Sequence, residues 1–173
     1  FESYEIEHII TMCPHGFNAL KNEYPQGKFE VLHTTQLLAK RLEEGKLPFT
    51  KEIKKVVTYH DPCFLGKQNN VFDEPRMLLT AVPGLTFKEL DRSRERSLCC
   101  EGGGGRMWVE SSSEVGQRLA EVRIQDAVEL GAEIITTACP FCVLTLEDAV
   151  KTSGHEEKIR VMDVTELVAE GMG

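Results

Sequence analysis

Short β-branched runs alternate with helical patterns along this chain of 173 residues. This alternation is typical of an α/β fold with a mainly parallel sheet. The predicted strands are residues 8–12, 29–32, 55–59, 86–90, 134–137 and 159–162. The predicted helices are residues 18–23, 35–44, 74–81, 113–130, 144–151 and 165–170. The longest helix has the clearest pattern, because its apolar side chains cluster on one side.

A sequence repeat divides the chain. Residues 9–16 resemble residues 134–142 with one inserted residue, and residues 28–39 resemble residues 158–169. Two matches in the same order indicate that one βαβ-type unit occurs twice. We therefore expect two pseudo-repeated Rossmann-like lobes. Residues 1–50 would be the C-terminal half of a first, truncated repeat, and residues 51–173 a second, complete repeat.

The composition narrows the class of protein. Hydrophobic residues make up 41% and charged residues 28% of the chain, as in soluble globular proteins. The net charge of −8 argues against a nucleic-acid partner. No stretch approaches the roughly 18 apolar residues of a spanning helix, so we expect no membrane insertion by this chain. Cysteines set in long α/β-patterned stretches favour a reducing cytoplasm over a secreted disulfide scaffold.

Five of the six cysteines follow the spacing C-x35-CC-x38-C-x2-C, and they are Cys63, Cys99, Cys100, Cys139 and Cys142. Each of them follows or ends a predicted strand. Because ligands collect at the carboxyl ends of parallel strands, we expect the five thiols to converge on one rim of the sheet.

The number of thiols favours an iron–sulfur cluster over zinc. Structural zinc takes four ligands, so a fifth thiolate would be surplus. The neighbours Cys99 and Cys100 also point to opposite sides of an extended chain, which suits a polynuclear cluster better than one small ion. Two alternatives remain open: a zinc-bound structural or interaction module, and a metal-free thiol–disulfide centre at Cys139 and Cys142.

Four glycines, Gly102 to Gly105, directly follow the Cys99-Cys100 pair and Glu101. Such a run costs backbone entropy, so a purely structural loop explains it poorly. Without side chains the backbone can approach a cluster and aim its N–H groups at sulfur. We therefore predict that Gly102, Gly103 and Gly104 bind the cofactor; a flexible hinge is the alternative.

Three segments together resemble the cysteine-rich CCG domain family. They are residues 60–66 (HDPCFLG), residues 99–108 (CCEGGGGRMW) and residues 138–142 (ACPFC). This family includes the catalytic subunit of heterodisulfide reductase and iron–sulfur subunits of glycolate, lactate and anaerobic glycerol-3-phosphate oxidoreductases. The resemblance covers nearly the whole chain.

The resemblance implies a [4Fe–4S]-type cluster, non-cubane in the heterodisulfide reductases, held by Cys63, Cys99, Cys100, Cys139 and Cys142. It also implies an electron-transfer component of a larger oxidoreductase, inactive alone. The partners would be a ferredoxin-like domain or subunit, a flavoprotein, or a membrane haem or quinone subunit. The chain would then be cytoplasmic, with membrane association only through a partner or a missing domain.

Four positions need separate interpretation. Glu101 stands where the family has a glycine, and would either place a carboxylate near the cluster or face solvent. The first repeat keeps Cys13 but loses its second cysteine, so Cys13 is interpreted as a residual or structural thiol and His15 as a substitute ligand. His60 either hydrogen-bonds near the cluster or has a structural role.

Overall fold

The structure of the protein is a computed structural model that describes residues 2–25, 27–105 and 116–173. Strands and helices alternate in this order: β1 (His8–Thr11), α1 (Pro14–Asn18), β2 (Glu30–His33), α2 (Thr34–Glu43), β3 (Val56–Tyr59), α3 (Asp73–Ala81), β4 (Thr86–Phe87), α4 (Leu119–Glu129), β5 (Ile134–Thr137), α5 (Pro140–Thr152), β6 (Arg160–Asp163) and α6 (Val164–Met172). A π-helical turn (Ala19–Glu23) follows α1, and 3-10 turns lie at Glu2–Tyr4 and Arg94–Arg96.

All the strand pairs of the described residues are parallel, which confirms the predicted α/β class. β1 and β2 form a two-stranded sheet, and the second sheet has the strand order β4-β3-β5-β6. In the second sheet Thr58 pairs with Ile135, which pairs in turn with Val161. The carboxyl ends of β3, β5 and β6 therefore lie at one edge.

Side-chain alternation gives the four-stranded sheet two buried faces. In β5, Ile134 packs in a core with residues of α3 and α6, whereas its neighbour Ile135 packs in a core with residues of α4 and α5. Successive side chains of a strand point to opposite faces, so each face carries its own helical layer. The first of these cores also includes Phe17 of α1 and Leu47, so segments that precede β3 pack in the same core as the four-stranded sheet.

The two halves of the chain start their helices in the same way. Cys13 and Cys139 each precede a helix that begins with proline, and proline is pre-organised for this first position. His33 and Asp163 each close a capping box with the residue three positions later. β1 ends two residues before Cys13, and β5 ends two residues before Cys139. The two segments therefore align without the inserted residue that the sequence comparison assumed. The division into domains at residues 50 and 51 stays a prediction.

Element boundaries differ from the predictions at several ends. α1 and α5 begin four residues earlier than predicted, at Pro14 and Pro140. The strand predicted at residues 86–90 spans only Thr86–Phe87. The described part of the helix predicted at residues 113–130 is helical over Leu119–Glu129, and residues 113–115 lie outside the described residues. Among the helices described, none combines the length and apolar character needed to cross a membrane.

Candidate metal centre

The five cysteines of the spacing line one cavity of about 200 Å³ at the carboxyl edge of the four-stranded sheet. Cys63 follows β3, and Cys139 and Cys142 lie at the start of α5, directly after β5. Cys99 and Cys100 come from the loop between the Arg94–Arg96 turn and α4. Parallel strands bring these three loops to the same edge. The structure thus brings together all five residues that the sequence singles out.

The five side chains form a continuous series of sulfur contacts. Cys63 is hydrogen-bonded to Cys99, which is hydrogen-bonded to its neighbour Cys100. The Cys100 and Cys142 Sγ atoms lie 3.2 Å apart, and Cys142 is hydrogen-bonded to Cys139. Adjacent residues thus reach different partners, since Cys99 turns toward Cys63 and Cys100 toward Cys142. The Cys99-Cys100 pair therefore connects Cys63 with Cys142 and Cys139.

The contacts between the thiols shift their pKa values in different directions. Hydrogen bonds from Cys100 and Cys63 lower the pKa of Cys99. A hydrogen bond from Cys142 lowers the pKa of Cys139. The hydrogen bonds to Cys100 and Cys139, together with burial, raise the pKa of Cys142. Thiolates are the form that binds soft metals, and Cys99 and Cys139 are the two positions where this form is favoured.

Backbone N–H groups point at two of the sulfurs. The amide of Glu101 donates to Cys99 Sγ at 3.3 Å, and the amide of Gly102 donates to Cys100 Sγ at 3.4 Å. A Cβ on Gly102 would overlap Thr145 Oγ1, so this position has room only for glycine. The close approach of the loop to α5 therefore depends on the missing side chain.

Gly103 and Gly104 line the cavity itself. A Cβ on Gly103 would come within 3.1 Å of His15 Nε2. Gly104 has a φ of +63°, in the left-handed region that glycine enters without strain. The glycine run therefore gives the loop its path around the cavity, and cofactor binding by Gly102, Gly103 and Gly104 stays a prediction.

Glu101 has a structural contact that the sequence does not reveal. Its φ is +65°, the left-handed conformation that suits the glycine found here in the related family. Its carboxylate accepts a hydrogen bond from the Leu119 N–H at 2.9 Å, at the N-terminus of α4. A carboxylate in this position complements the helix dipole. Glu101 thus ties the Cys99-Cys100 pair to α4.

A buried ion pair fixes the loop that carries Cys63. The Asp61 carboxylate accepts hydrogen bonds from both terminal nitrogens of Arg76, at 2.8 and 2.9 Å. It also accepts one from the backbone N–H of Arg94 at 2.8 Å. Arg76 in turn binds Glu89 through two further hydrogen bonds. This network, which sequence reasoning missed, holds the Cys63 loop, α3 and the segment before Cys99 in fixed relation.

His60 is buried next to Cys100 and Cys142, beside the cavity and not among the residues that line it. Its side chain is 1% exposed, and neither ring nitrogen has a hydrogen-bond partner among the described residues. One ring nitrogen, Cys100 Sγ and Cys142 Sγ all lie within 4.8 Å of one another. Burial and the nearby charge of Arg123 lower the pKa of His60 to about 4.

The two first-repeat candidates occupy different places. His15 lines the cavity, with its ring centroid 4.4 Å from that of Phe64 and 5.5 Å from that of Phe141. Cys13 Sγ lies 3.9 Å from His15 Nδ1 and is not among the residues that line the cavity. Residues 106–108, which complete the CCEGGGGRMW motif, lie outside the described residues.

Comparison with known proteins assigns the chain to a family. A family model described as a cysteine-rich domain, CCG, matches residues 57–147, more than half of the chain. All five cavity cysteines fall within this match.

Three relatives align with nearly the whole chain. EtfAB:quinone oxidoreductase of Syntrophomonas wolfei is 42% identical over 99% of the chain and 25% of its own length. A Bacillus subtilis protein named "Probable iron-sulfur-binding oxidoreductase FadF" is 39% identical over 99% of the chain and 24% of its length. One component of the dihydromethanophenazine:CoB–CoM heterodisulfide reductase of Methanosarcina barkeri is 40% identical over 95% of the chain and 41% of its length.

The chain spans between about a quarter and two-fifths of the length of these relatives. The family match and the position of the five cysteines within it lead to one assignment. The chain belongs to the cysteine-rich CCG domain family.

Proposed function

We propose that this chain binds an iron–sulfur cluster among Cys63, Cys99, Cys100, Cys139 and Cys142, and that it is the electron-transfer component of a larger oxidoreductase. The observation that carries the proposal is that all five cysteines line one cavity, with the Cys100 and Cys142 Sγ atoms 3.2 Å apart. The finer proposal is a [4Fe–4S]-type cluster of the non-cubane kind, since the adjacent Cys99 and Cys100 reach different neighbours.

The donor set fits an iron–sulfur cluster. Thiolates are the usual ligands of iron–sulfur clusters, whereas structural zinc takes four ligands in a tetrahedron. Five thiols are one more than zinc uses, and the cavity of about 200 Å³ is larger than a single ion needs. The names of the relatives agree, because one of them is an iron–sulfur-binding oxidoreductase.

When bound, the cluster would supply one-electron redox chemistry. The chain itself sets the surroundings of that chemistry. The amides of Glu101 and Gly102 donate hydrogen bonds to Cys99 and Cys100, which stabilises negative charge on sulfur. The rings of Phe64 and Phe141 form apolar parts of the cavity wall and limit the access of water.

The partners follow from the relatives only by analogy. Two of them are named for a quinone and for a CoB–CoM heterodisulfide. We infer that the cluster exchanges electrons with a ferredoxin-like domain or subunit, a flavoprotein, or a membrane haem or quinone subunit. In this proposal residues 1–50 and 51–173 are parts of two successive repeats, and the chain works on the cytoplasmic side.

Anaerobic purification of the chain tests this function. Iron, sulfide and zinc are measured on the same sample, and EPR spectra are recorded after reduction and after oxidation. We expect iron and acid-labile sulfide in comparable amounts, with an EPR signal in one redox state. Tightly held zinc without visible charge-transfer absorption would instead identify a zinc module. Full redox activity without metal would identify a thiol–disulfide protein.

A further inference from the structure

The unpaired imidazole of His60 is the strongest feature that cysteine ligation alone does not explain. His60 directly follows β3, and its backbone N–H donates to Thr136 O at 2.7 Å. Both ring nitrogens are inaccessible to solvent and unpartnered within the described ranges. Buried polar groups in folded proteins almost always have a hydrogen-bond partner. An orphaned ring beside a ligand cavity therefore indicates a partner that arrives with the ligand.

The surroundings of the ring point to what that partner is. One ring nitrogen, Cys100 Sγ and Cys142 Sγ lie within 4.8 Å of one another. The Sγ atoms of Cys100 and Cys142 lie 3.2 Å apart. The other charged groups that act on His60 are Arg123, Asp61 and Cys99. An imidazole ring always carries at least one N–H, so His60 can donate a hydrogen bond to a sulfur atom on this side.

We propose that His60 donates this N–H to a sulfur atom at the Cys100–Cys142 side of the bound cluster and thereby makes the cluster easier to reduce. This inference rests on the cluster binding proposed above. The ring is a positioning group and not an iron ligand, because five thiolates already surround the cavity. A hydrogen bond to sulfur stabilises the more negative reduced state, so its removal shifts the reduction potential to more negative values.

The test compares wild type with His60→Leu, which has no donor, and His60→Gln, which keeps an N–H. Each protein is purified anaerobically, its iron and sulfide are measured, and its midpoint potential is determined by EPR-monitored redox titration. We expect a shift to more negative potential in His60→Leu, partial return in His60→Gln, and unchanged iron in both. His33→Gln is the matched control. His33 is also 1% exposed, but its ring is hydrogen-bonded to Met12 O and Thr35.

Labelling histidine with ¹⁵N gives a second measurement that needs no His60 variant to fold. We expect a weak ¹⁵N hyperfine coupling in the EPR-active state of the wild type. His15 lines the cavity and could also produce a coupling. If the coupling comes from His60, it must persist in His15→Gln. A strong coupling typical of direct ligation to iron, or no coupling at all, overturns the inference.

The two proposals fail in different ways. Wild-type protein without iron and sulfide would overturn both of them. A wild-type cluster whose potential is the same in His60→Leu would overturn only the role of His60. If His60→Leu does not fold, the ¹⁵N coupling of the wild type decides.

Discussion

Cys100 Sγ lies 3.2 Å from Cys142 Sγ, although 42 positions separate the two residues. One sulfur comes from the glycine-rich loop before α4, and the other from the first turn of α5. This contact joins the vicinal pair to the C-terminal dithiol. Both sulfurs lie within 4.8 Å of a ring nitrogen of His60.

Replacing either member of this contact should remove the cluster. Substitution of a residue that only supports a metal ligand lowers metal affinity by roughly 10–100-fold. Cys100→Ser and Cys142→Ser each remove a ligand, so we expect a larger loss of iron affinity. Iron and sulfide analysis after anaerobic purification measures the loss. Cys13→Ser is the matched control and should keep wild-type iron, because Cys13 does not line the cavity. Full iron content in Cys142→Ser would contradict the assignment of this ligand.

Breaking the Asp61–Arg76 ion pair should destabilise the fold. Asp61 is 2% exposed and Arg76 is 7% exposed, so removal of Arg76 leaves the Asp61 carboxylate buried without its partner charge. Arg76→Met should lower the free energy of unfolding by about 3–5 kcal/mol. The double variant Asp61→Asn/Arg76→Met should lose less than the sum of the single variants. Urea unfolding of the reduced, metal-free chain measures all three, and simple additivity would argue against a coupled pair.

Adding a methyl group to Gly102 should displace the loop that carries Cys100. In Gly102→Ala the new Cβ overlaps Thr145 Oγ1 and lies 2.9 Å from the carbonyl oxygen of Phe141. Overpacking of this kind costs about 1–3 kcal/mol of stability. We also expect weaker cluster retention, measured as iron per chain after a chelator challenge. Gly45→Ala is the control: it adds backbone strain at a φ of +68° but meets no atom within 4 Å and does not line the cavity.

Acid should destabilise the metal-free chain through its buried histidines. Burial lowers the pKa of His33 to about 4, from an ordinary value of 6.5. Because the unfolded chain binds this proton more tightly, the contribution is intact above pH 6.5 and is lost as the pH falls from 6.5 to 4. The loss approaches about 3 kcal/mol for a shift of this size.

His33→Asn tests the source of this acid sensitivity. Asparagine caps a helix and does not titrate, so the variant should keep α2 but lose part of the pH dependence. His60, which has a pKa lowered to a similar value, would provide the remainder. Urea unfolding at several pH values between 4 and 7 makes the comparison. An unchanged pH dependence in His33→Asn would show that His33 is not the titrating group.

Much of the fold follows from local patterns. The strand predicted at residues 134–137 coincides with Ile134–Thr137, because a short apolar run between a glycine turn and a cysteine loop leaves little choice of boundary. Convergence of Cys63, Cys139 and Cys142 follows from parallel strand order, whereas Cys99 and Cys100 reach the same edge through the loop after the Arg94–Arg96 turn. The helix starts at Pro14 and Pro140 were predicted four residues too late, because the preference of proline for the first turn of a helix was not applied.

Other features depend on tertiary contacts that no local pattern records. The partnership of Asp61 with Arg76 joins residues that are 15 positions apart and on different elements. The capping of α4 by Glu101 depends on a loop conformation that the sequence, with glutamate in a glycine position, argues against. The isolation of the His60 ring likewise emerges only when its surroundings are in place.

The ion pairs of Arg76 lie outside the ring of sulfurs, and they hold the Cys63 loop against the segment before Cys99 without any help from iron. We therefore expect the apoprotein to keep the shape of the cavity. Iron and sulfide could then enter after the chain has folded, and a lost cluster could be rebuilt without unfolding.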